Sequence, residues 1–321
     1  MKKGKEPRRR PKINCRENEI IKRLRKGNSP LRERYIEDLE FHRFSKNTKT
    51  KYVDALLRLT AHFWKSPAEL SDKDLRSYFN YLENGCLYSG STLGIAHAAL
   101  RFFYNYTCPR DMPFLGIFRA KKDKTLPVIL SREEVRKILS QIKDVRYYAC
   151  LALVYSCGLR AGEAVNMKVG DIDSDQGLIY VRKGKGGKPR AVPLPVRTMD
   201  ILRKMWKTHR HSELLFPAYQ INMRLKPSHY GCKDKPFSGS TLGVHFRAAL
   251  RRSGCRKAAT VHSLRHSFAT HLLEEGIPLF TVKEYLGHAS IRSTLVYTHF
   301  TSKIRRDGQG SIEELMSDLP L

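Results

Sequence analysis

Between Arg119 and Pro127 the chain reads Ala-Lys-Lys-Asp-Lys-Thr-Leu, rich in charge and without hydrophobic periodicity. A stretch of that kind has no apolar face to bury, so it divides the 321 residues into two folding units. Each unit is long enough to enclose a core of its own.

Upstream of the divide, apolar residues recur at helical intervals. Leu31, Tyr35, Leu39 and His42 share one face, and Asn47 is expected to cap a run carrying Tyr52, Leu56, Leu59 and Phe63. Ser71-Asp72-Lys73-Asp74 announces a third helix with Leu75, Tyr78, Phe79 and Leu82, closed by Gly85. A fourth is expected from Ser91, with Leu93, Ala96, Leu100, Phe103 and Tyr104 inward. Such stripes are core rather than ligand contacts, so residues 29–119 make a compact four-helix domain. Residues 1–28 are charged and poor in apolar side chains; they read as a basic arm, with ordered structure beginning near Pro30.

Residues 120–127 form the linker, and 128–307 the second domain. Ser131-Arg132-Glu133-Glu134 is a capping-box pattern that opens its first helix. An apolar helix from Tyr147 to Cys157 stops at Gly158, and Leu159-Arg160-Ala161-Gly162-Glu163 opens another. Leu178–Val181 and Ala191–Leu194 read as two short strands joined by the glycine-rich turn Lys183-Gly184-Lys185-Gly186-Gly187-Lys188. A helix from Met199 to His209 follows, then an irregular insertion from Pro217 to Gly239, then a helix capped by Ser240 and running through Arg251. Two further helices complete the domain. In residues 308–321, Ile312, Leu315, Met316 and Leu319 line one face of a short acidic helix after Gly308-Gln309-Gly310. A helix that short must dock, on its own domain or on a neighbouring subunit. The fold class is mainly α with a small β-sheet in the second domain, a helical domain followed by an α+β one.

The balance of charge narrows the partners. Lys and Arg number 60 against 31 Asp and Glu, a formal surplus of +29. A surface so cationic repels itself and calls for a polyanion, nucleic acid first. A membrane is not indicated, because no long apolar span and no basic amphipathic helix is present. The N-terminal Met1-Lys2-Lys3-Gly4-Lys5-Glu6-Pro7-Arg8-Arg9-Arg10 lacks the apolar core of a secretory signal. Seven cysteines, odd in number and with no CxxC pair, indicate neither a disulfide framework nor a zinc site and suit a reducing interior. The expected address is the cytoplasm, at the nucleoid.

Chemistry concentrates between Val261 and Phe300. His262 and Arg265 lie three apart and share a helical face; His288 follows Leu286-Gly287, and Tyr297 comes nine residues later. Together they can hold a phosphate and attack it. His262 and His266, four apart, also resemble a metal pair, but no Glu stands between them as in H-E-x-x-H and no acidic cluster is near. His266, His271 and His299 carry no assigned role beyond packing or hydrogen bonding, and Cys157 is a small buried apolar residue.

Taken together, Gly158-Leu159-Arg160-Ala161-Gly162-Glu163, Gly184-Lys185-Gly186, the run His262 to His271, Leu286-Gly287-His288 and Tyr297-Thr298-His299 resemble the tyrosine recombinases. These are the integrase-like and Xer-like site-specific recombinases of phage, integrons and transposons. The likeness spans about Leu31 to Phe300, strongly in the second domain. It implies a two-domain DNA clamp with an N-terminal core-binding domain and a catalytic domain. It makes Tyr297 the nucleophile, Arg160 and Arg265 the phosphate clamps, and Lys185 the general acid, with Lys183 and Lys188 as neighbours open to confusion with it. His262 and His288 become further donors, and Glu163 braces Arg160. The basic arm and the Pro217–Gly239 insertion depart from the compact Xer-type members.

The implied reaction suits these residue types. A tyrosine phenol has a pKa of about 10 and needs cationic and hydrogen-bonding neighbours to react at neutral pH. Arginine forks match the non-bridging oxygens bidentately and stay charged. A phosphotyrosyl ester conserves the bond energy, so no ATP, metal or other cofactor is expected. The resemblance further implies recombination between two DNA sites through a Holliday junction, in a tetramer joined by exchange of the C-terminal helix, with room for accessory proteins. Two alternatives use the same scaffold: relaxation of a single duplex as in type IB topoisomerases, and a DNA-binding regulator that does not cut.

Overall fold

The computed structural model describes residues 15–27, 29–121, 126–182, 189–219 and 232–298. The chain divides into two compact units, Met1–Thr125 and Leu126–Leu321.

In the first unit the helices are α1 (Cys15–Lys26), α2 (Pro30–Phe41), α3 (Lys46–Phe63), α4 (Asp72–Asn80), α5 (Gly90–Phe102) and α6 (Pro113–Ile117). The stripes read from the sequence point inward, with Tyr35, Leu39, Leu59, Leu75, Phe79, Leu100 and Phe103 buried in one cluster, except that His42 lies just past the end of α2 and is exposed. Each such side chain removed from water contributes about 1.5–3 kcal/mol. Tyr35 and Tyr104 enter this core because their hydroxyls donate to the carbonyls of Ala99 (2.9 Å) and Pro67 (2.7 Å).

Order begins earlier than Pro30. Helix α1 lies before it, and Ile21 is buried against Leu57 and Ala61 of α3. Three apolar residues within about a turn, Ile20, Ile21 and Leu24, dock this otherwise charged segment. The caps also move. Ser45, not Asn47, caps α3, its hydroxyl accepting from the Thr48 amide at 3.2 Å. Ser89 likewise caps α5. Only these earlier serines sit on extended backbone one residue before the first turn, where a hydroxyl reaches a free amide.

The second unit contains α7 (Arg132–Ser140), α8 (Val145–Ser156), α9 (Ala161–Val165), α10 (Val196–Trp206), α11 (Gly239–Arg252), α12 (Val261–Glu274), α13 (Leu279–Leu286) and the short α14 (Arg292–Leu295). Helix α8 is its axis. Ala149 to Val154 are buried on every side, as expected of a helix apolar all round. It packs against α7, α9, α10, α11 and α12. The Ser131 capping box forms as read, with the Glu134 carboxylate returning to the Ser131 amide at 2.7 Å.

The sheet is antiparallel and three-stranded: β1 (Ile172–Asp173), β2 (Leu178–Val181) and β3 (Arg190–Pro193). The register pairs Val181 with Arg190 and Ile179 with Val192. Strand β1 is too short to show alternation in the sequence. The stretch from Pro217 to Gly239 is not wholly irregular, because β4 (Pro217–Tyr219) and β5 (Cys232–Pro236) pair antiparallel. The cap of α11 is Ser238 rather than Ser240, for the reason given for Ser45 and Ser89. Among the described residues no helix is long and apolar enough to cross a membrane.

Gly158 ends the α8 segment with φ +60°, and a Cβ there would lie 2.4 Å from the Phe268 ring on α12. Both the left-handed backbone and this contact demand glycine. Gly158→Ala should lose about 3 kcal/mol of unfolding free energy in urea denaturation, from backbone strain plus overpacking. Gly254→Ala, with positive φ but nothing near its Cβ, should lose only about 1 kcal/mol.

Candidate active site

Four elements meet behind Tyr297: the start of α9, strand β3, the first turns of α12 and the C-terminal end of α13. At their centre is Glu163, whose side chain is 5% exposed. Arg160 immediately precedes α9. Its backbone amide donates to Glu163 Oε2 at 2.9 Å, and its guanidinium donates to Oε1 at 2.6 Å. From β3, Arg190 donates to both carboxylate oxygens, at 3.2 and 2.7 Å. From α12, Arg265 approaches the same carboxylate at 3.9 Å. Burial alone would raise the Glu163 pKa, but the bonds from Arg190 and Arg160 prevail and hold it at about 2.

The three arginines have a second common partner. Helix α13 ends in Gly287 with φ +61°, leaving its last carbonyls without intrahelical donors. Arg190 Nε donates to the Tyr285 carbonyl at 2.8 Å, and Arg265 to that of Leu286 at 2.6 Å. Arg160 reaches the Gly287 carbonyl at 3.4 Å. Cations at this end also complement the helix dipole. A Cβ on Gly287 would stand 2.9 Å from Arg190 Cδ, so glycine lets the guanidinium lie across the helix end. Arg265 is 4% exposed and bonds the Gly158 carbonyl at 2.7 Å. Burial, with Arg160 nearby, lowers its pKa to about 10, which leaves it charged at neutral pH.

Tyr297 is 2% exposed, packed among Ala269, Leu273, Val282 and Leu286. Burial raises the pKa of its phenol, against the pull of Arg265 and Arg160. Its hydroxyl lies 2.8 Å from His266 Nδ1, and its ring stacks on His288 at 6.4 Å. His288 Nδ1 stands 2.9 Å from the buried Thr294 hydroxyl. Burial, then Arg265 and Arg160, lowers the His288 pKa to about 4. His266 falls to about 4 as well, through burial, His262 and Arg265. His262 stands at the rim of the site; partial burial of its ring, then Arg265 and Arg160, lowers its pKa.

The geometry thus brings together Arg160, Glu163, His262, Arg265, His288 and Tyr297. Lys183, Lys185 and Lys188 lie outside the described residues, and so do Ile312, Leu315, Met316 and Leu319. Two participants carried no assigned role in the sequence reading. Arg190 shares its strand face with buried Val192, and a charge at an inward register position was the available signal. His266 falls four residues after His262 on α12, a spacing that suggested only packing or a metal pair. His271 does hydrogen-bond, to the Tyr155 hydroxyl at 2.9 Å. Among the described residues no three His, Cys, Asp or Glu side chains group as metal ligands.

Three guanidinium groups around one carboxylate leave a surplus of positive charge beside a phenol. That is a site suited to holding a phosphodiester and transferring it to tyrosine oxygen. The comparisons agree with this class. Residues 129–303 match the model of the phage integrase family, and residues 31–113 that of the phage integrase N-terminal SAM-like domain. A tyrosine recombinase XerA of Thermococcus kodakarensis is 36% identical over 251 residues, 76% of this chain and 83% of that protein. An integrase/recombinase of Escherichia coli is 32% identical over 300 residues, 84% and 88% of the two chains. The solved XerH site-specific recombinase, bound to a palindromic difH substrate after cleavage, shares the fold with TM-score 0.62 and 22% identity, covering 95% of this chain and 90% of that one. The chain belongs to the phage integrase family and is a site-specific tyrosine recombinase.

The Glu163 pKa, held below its ordinary value, makes a test. Its contribution to stability is present above pH 4.5, the ordinary value, and is lost as pH falls toward about 2. Urea denaturation of the parent and Glu163→Gln should differ by about 3 kcal/mol or more at pH 7. The gap should close progressively on acidification below pH 4.5.

Proposed function

We propose that Tyr297 is the nucleophile of this recombinase and attacks a DNA phosphodiester to give a 3′-phosphotyrosyl intermediate. The observation that carries the reading is that the buried Tyr297 phenol lies beside Arg265 and Arg160, whose charges pull its pKa down against the larger upward push of burial. Arg160 and Arg265 hold the non-bridging oxygens. Glu163 braces Arg160 so that its fork is already oriented when the phosphate arrives. His262 and His288 add neutral donors: the Thr294 hydroxyl, 2.9 Å from His288 Nδ1, donates to it and leaves the ring hydrogen on Nε2 for the phosphate. Lys185, from the glycine turn, protonates the departing 5′ oxygen.

The ester retains the energy of the broken bond, so religation to a partner strand requires no ATP. Exchange between two DNA sites proceeds in two rounds through a Holliday junction, within a tetramer. The C-terminal segment, residues 308–321, docks in trans, with Ile312, Leu315, Met316 and Leu319 against the neighbouring catalytic domain. The helical domain (29–119) and the catalytic domain (128–307) clamp the duplex, joined by the linker of residues 120–127. The basic residues ahead of α1 and those in the linker add contacts to the phosphate backbone, and the enzyme acts at the nucleoid in the cytoplasm. Joining two sites, rather than relaxing one duplex, is favoured by the recombinase relatives.

Covalent capture tests the reading. The protein is incubated in EDTA with nicked duplexes drawn from DNA flanking its own gene, then denatured. The parent should leave an adduct mapping to Tyr297 on a 3′ phosphate. Tyr297→Phe should bind the same duplex equally well and leave none. An adduct from the Phe variant, or one requiring added metal, overturns the assignment.

A further inference from the structure

Tyr297 is a buried phenol whose pKa is raised by burial, so in the resting site it keeps its proton. A nucleophile in that state needs somewhere to send the proton. Among the described residues its hydroxyl has one hydrogen-bond partner, His266 Nδ1 at 2.8 Å, the two rings tilted by 47° with centroids 5.7 Å apart. Were Nδ1 the donor, the buried phenolic hydrogen would be left without an acceptor. The arrangement that satisfies both groups has Tyr297 donating to a neutral imidazole that carries its own hydrogen on Nε2.

We propose that His266 is a further catalytic residue: its Nδ1 orients the Tyr297 hydroxyl and takes the phenolic proton as the oxygen bonds to phosphorus. This rests on Tyr297 being the nucleophile. The Tyr297 Oη–P bond forms while its proton passes to His266 Nδ1, giving an imidazolium. The P–O5′ bond breaks with its electron pair on O5′, which receives a proton from Lys185. In religation the incoming 5′-hydroxyl gives up its proton to Lys185, and the departing phenolate recovers its own from His266.

Low basicity suits the role. Buried, and with His262 and Arg265 nearby, this imidazole is held at a pKa of about 4 and stays neutral at physiological pH, so its acceptor lone pair is available. A phenol oxygen becomes a strong acid as it gains a bond to phosphorus, so placement of the acceptor matters more than its resting basicity. Helix α12 supplies the placement. Leu264, Arg265 and Ser267 are buried beside His266, and Ser267 bridges the Ser263 carbonyl and the Leu130 amide, each at 2.8 Å.

The test measures single-turnover cleavage of saturating nicked duplex by the full-length parent and by His266→Ala, His266→Asn, Lys185→Ala and Tyr297→Phe. Native folding of each is checked by near-UV circular dichroism. His266→Ala should cleave roughly a hundredfold or more slowly at unchanged DNA affinity. His266→Asn offers an oxygen near the Nδ1 position but cannot accept the proton; it should orient the phenol and recover only part of the rate. The same set is run on a duplex with sulfur in place of the bridging 5′ oxygen, a leaving group that needs no proton. There Lys185→Ala should recover, and His266→Ala should stay slow. Three results overturn the proposal: His266→Ala cleaving at the parent rate or faster, a His266→Ala defect that disappears on the sulfur substrate, or full activity of His266→Asn. If Ala does not fold, the Asn variant and its sulfur-substrate rate decide alone. An adduct from Tyr297→Phe would remove the nucleophile itself, a different failure from any of these.

Discussion

The buried Glu163 carboxylate, shared among arginines from α9, β3 and α12, holds the catalytic domain's working end together. An isolated carboxylate in that position would cost several kcal/mol in lost hydration. Here it accepts four N–H bonds, two from Arg160 and two from Arg190. The arginines in turn complete the carbonyl end of α13. Each partner solves the other's desolvation problem, and the geometry of four elements is set in doing so. Gly158 and Gly287 belong to the same arrangement. One presents its carbonyl to Arg265, and the other clears space for Arg190.

The network leaves charge over. One carboxylate cannot neutralise three guanidiniums, and the two inner imidazoles, with pKa values near 4, add none at neutral pH. In the proposed reaction a phosphodiester supplies the missing anion. Preorganised in this way, the arginines need not reorganise as charge develops on the phosphorus oxygens, which is where such sites gain their rate. The neutral histidines can then donate or accept single protons without competing for the phosphate as ions. Tyr297 sits at the boundary, its ring in an apolar cluster and its oxygen turned to His266.

Much of this is legible in the sequence. Tyr35, Leu39, Leu59, Leu75, Phe79, Leu100 and Phe103 carry the helical period of the first unit, and each is buried. Arg160, Arg265, His288 and Tyr297 were legible as a set because their chemistry is distinctive in that order. Local competition obscured the rest. Where two serines lie two apart, as at Ser89 and Ser91 or Ser238 and Ser240, only backbone conformation decides which one caps. Helix α1 was missed because Ile20, Ile21 and Leu24 alone in a charged run leave too faint a pattern.

The sequence by itself determined the division into two domains, the helical framework, the cationic character and the residue types proposed for phosphate transfer, since all follow from local pattern and side-chain chemistry. Only the tertiary structure decided which groups touch. Arg190 and Glu163 are 27 residues apart, and His266 and Tyr297 are 31 apart. Their pairing depends on how β3, α9, α12 and α13 pack around α8. No local period encodes such a contact. It emerges when burial strips water from a carboxylate or a phenol and the nearest donor or acceptor in the folded chain must replace it.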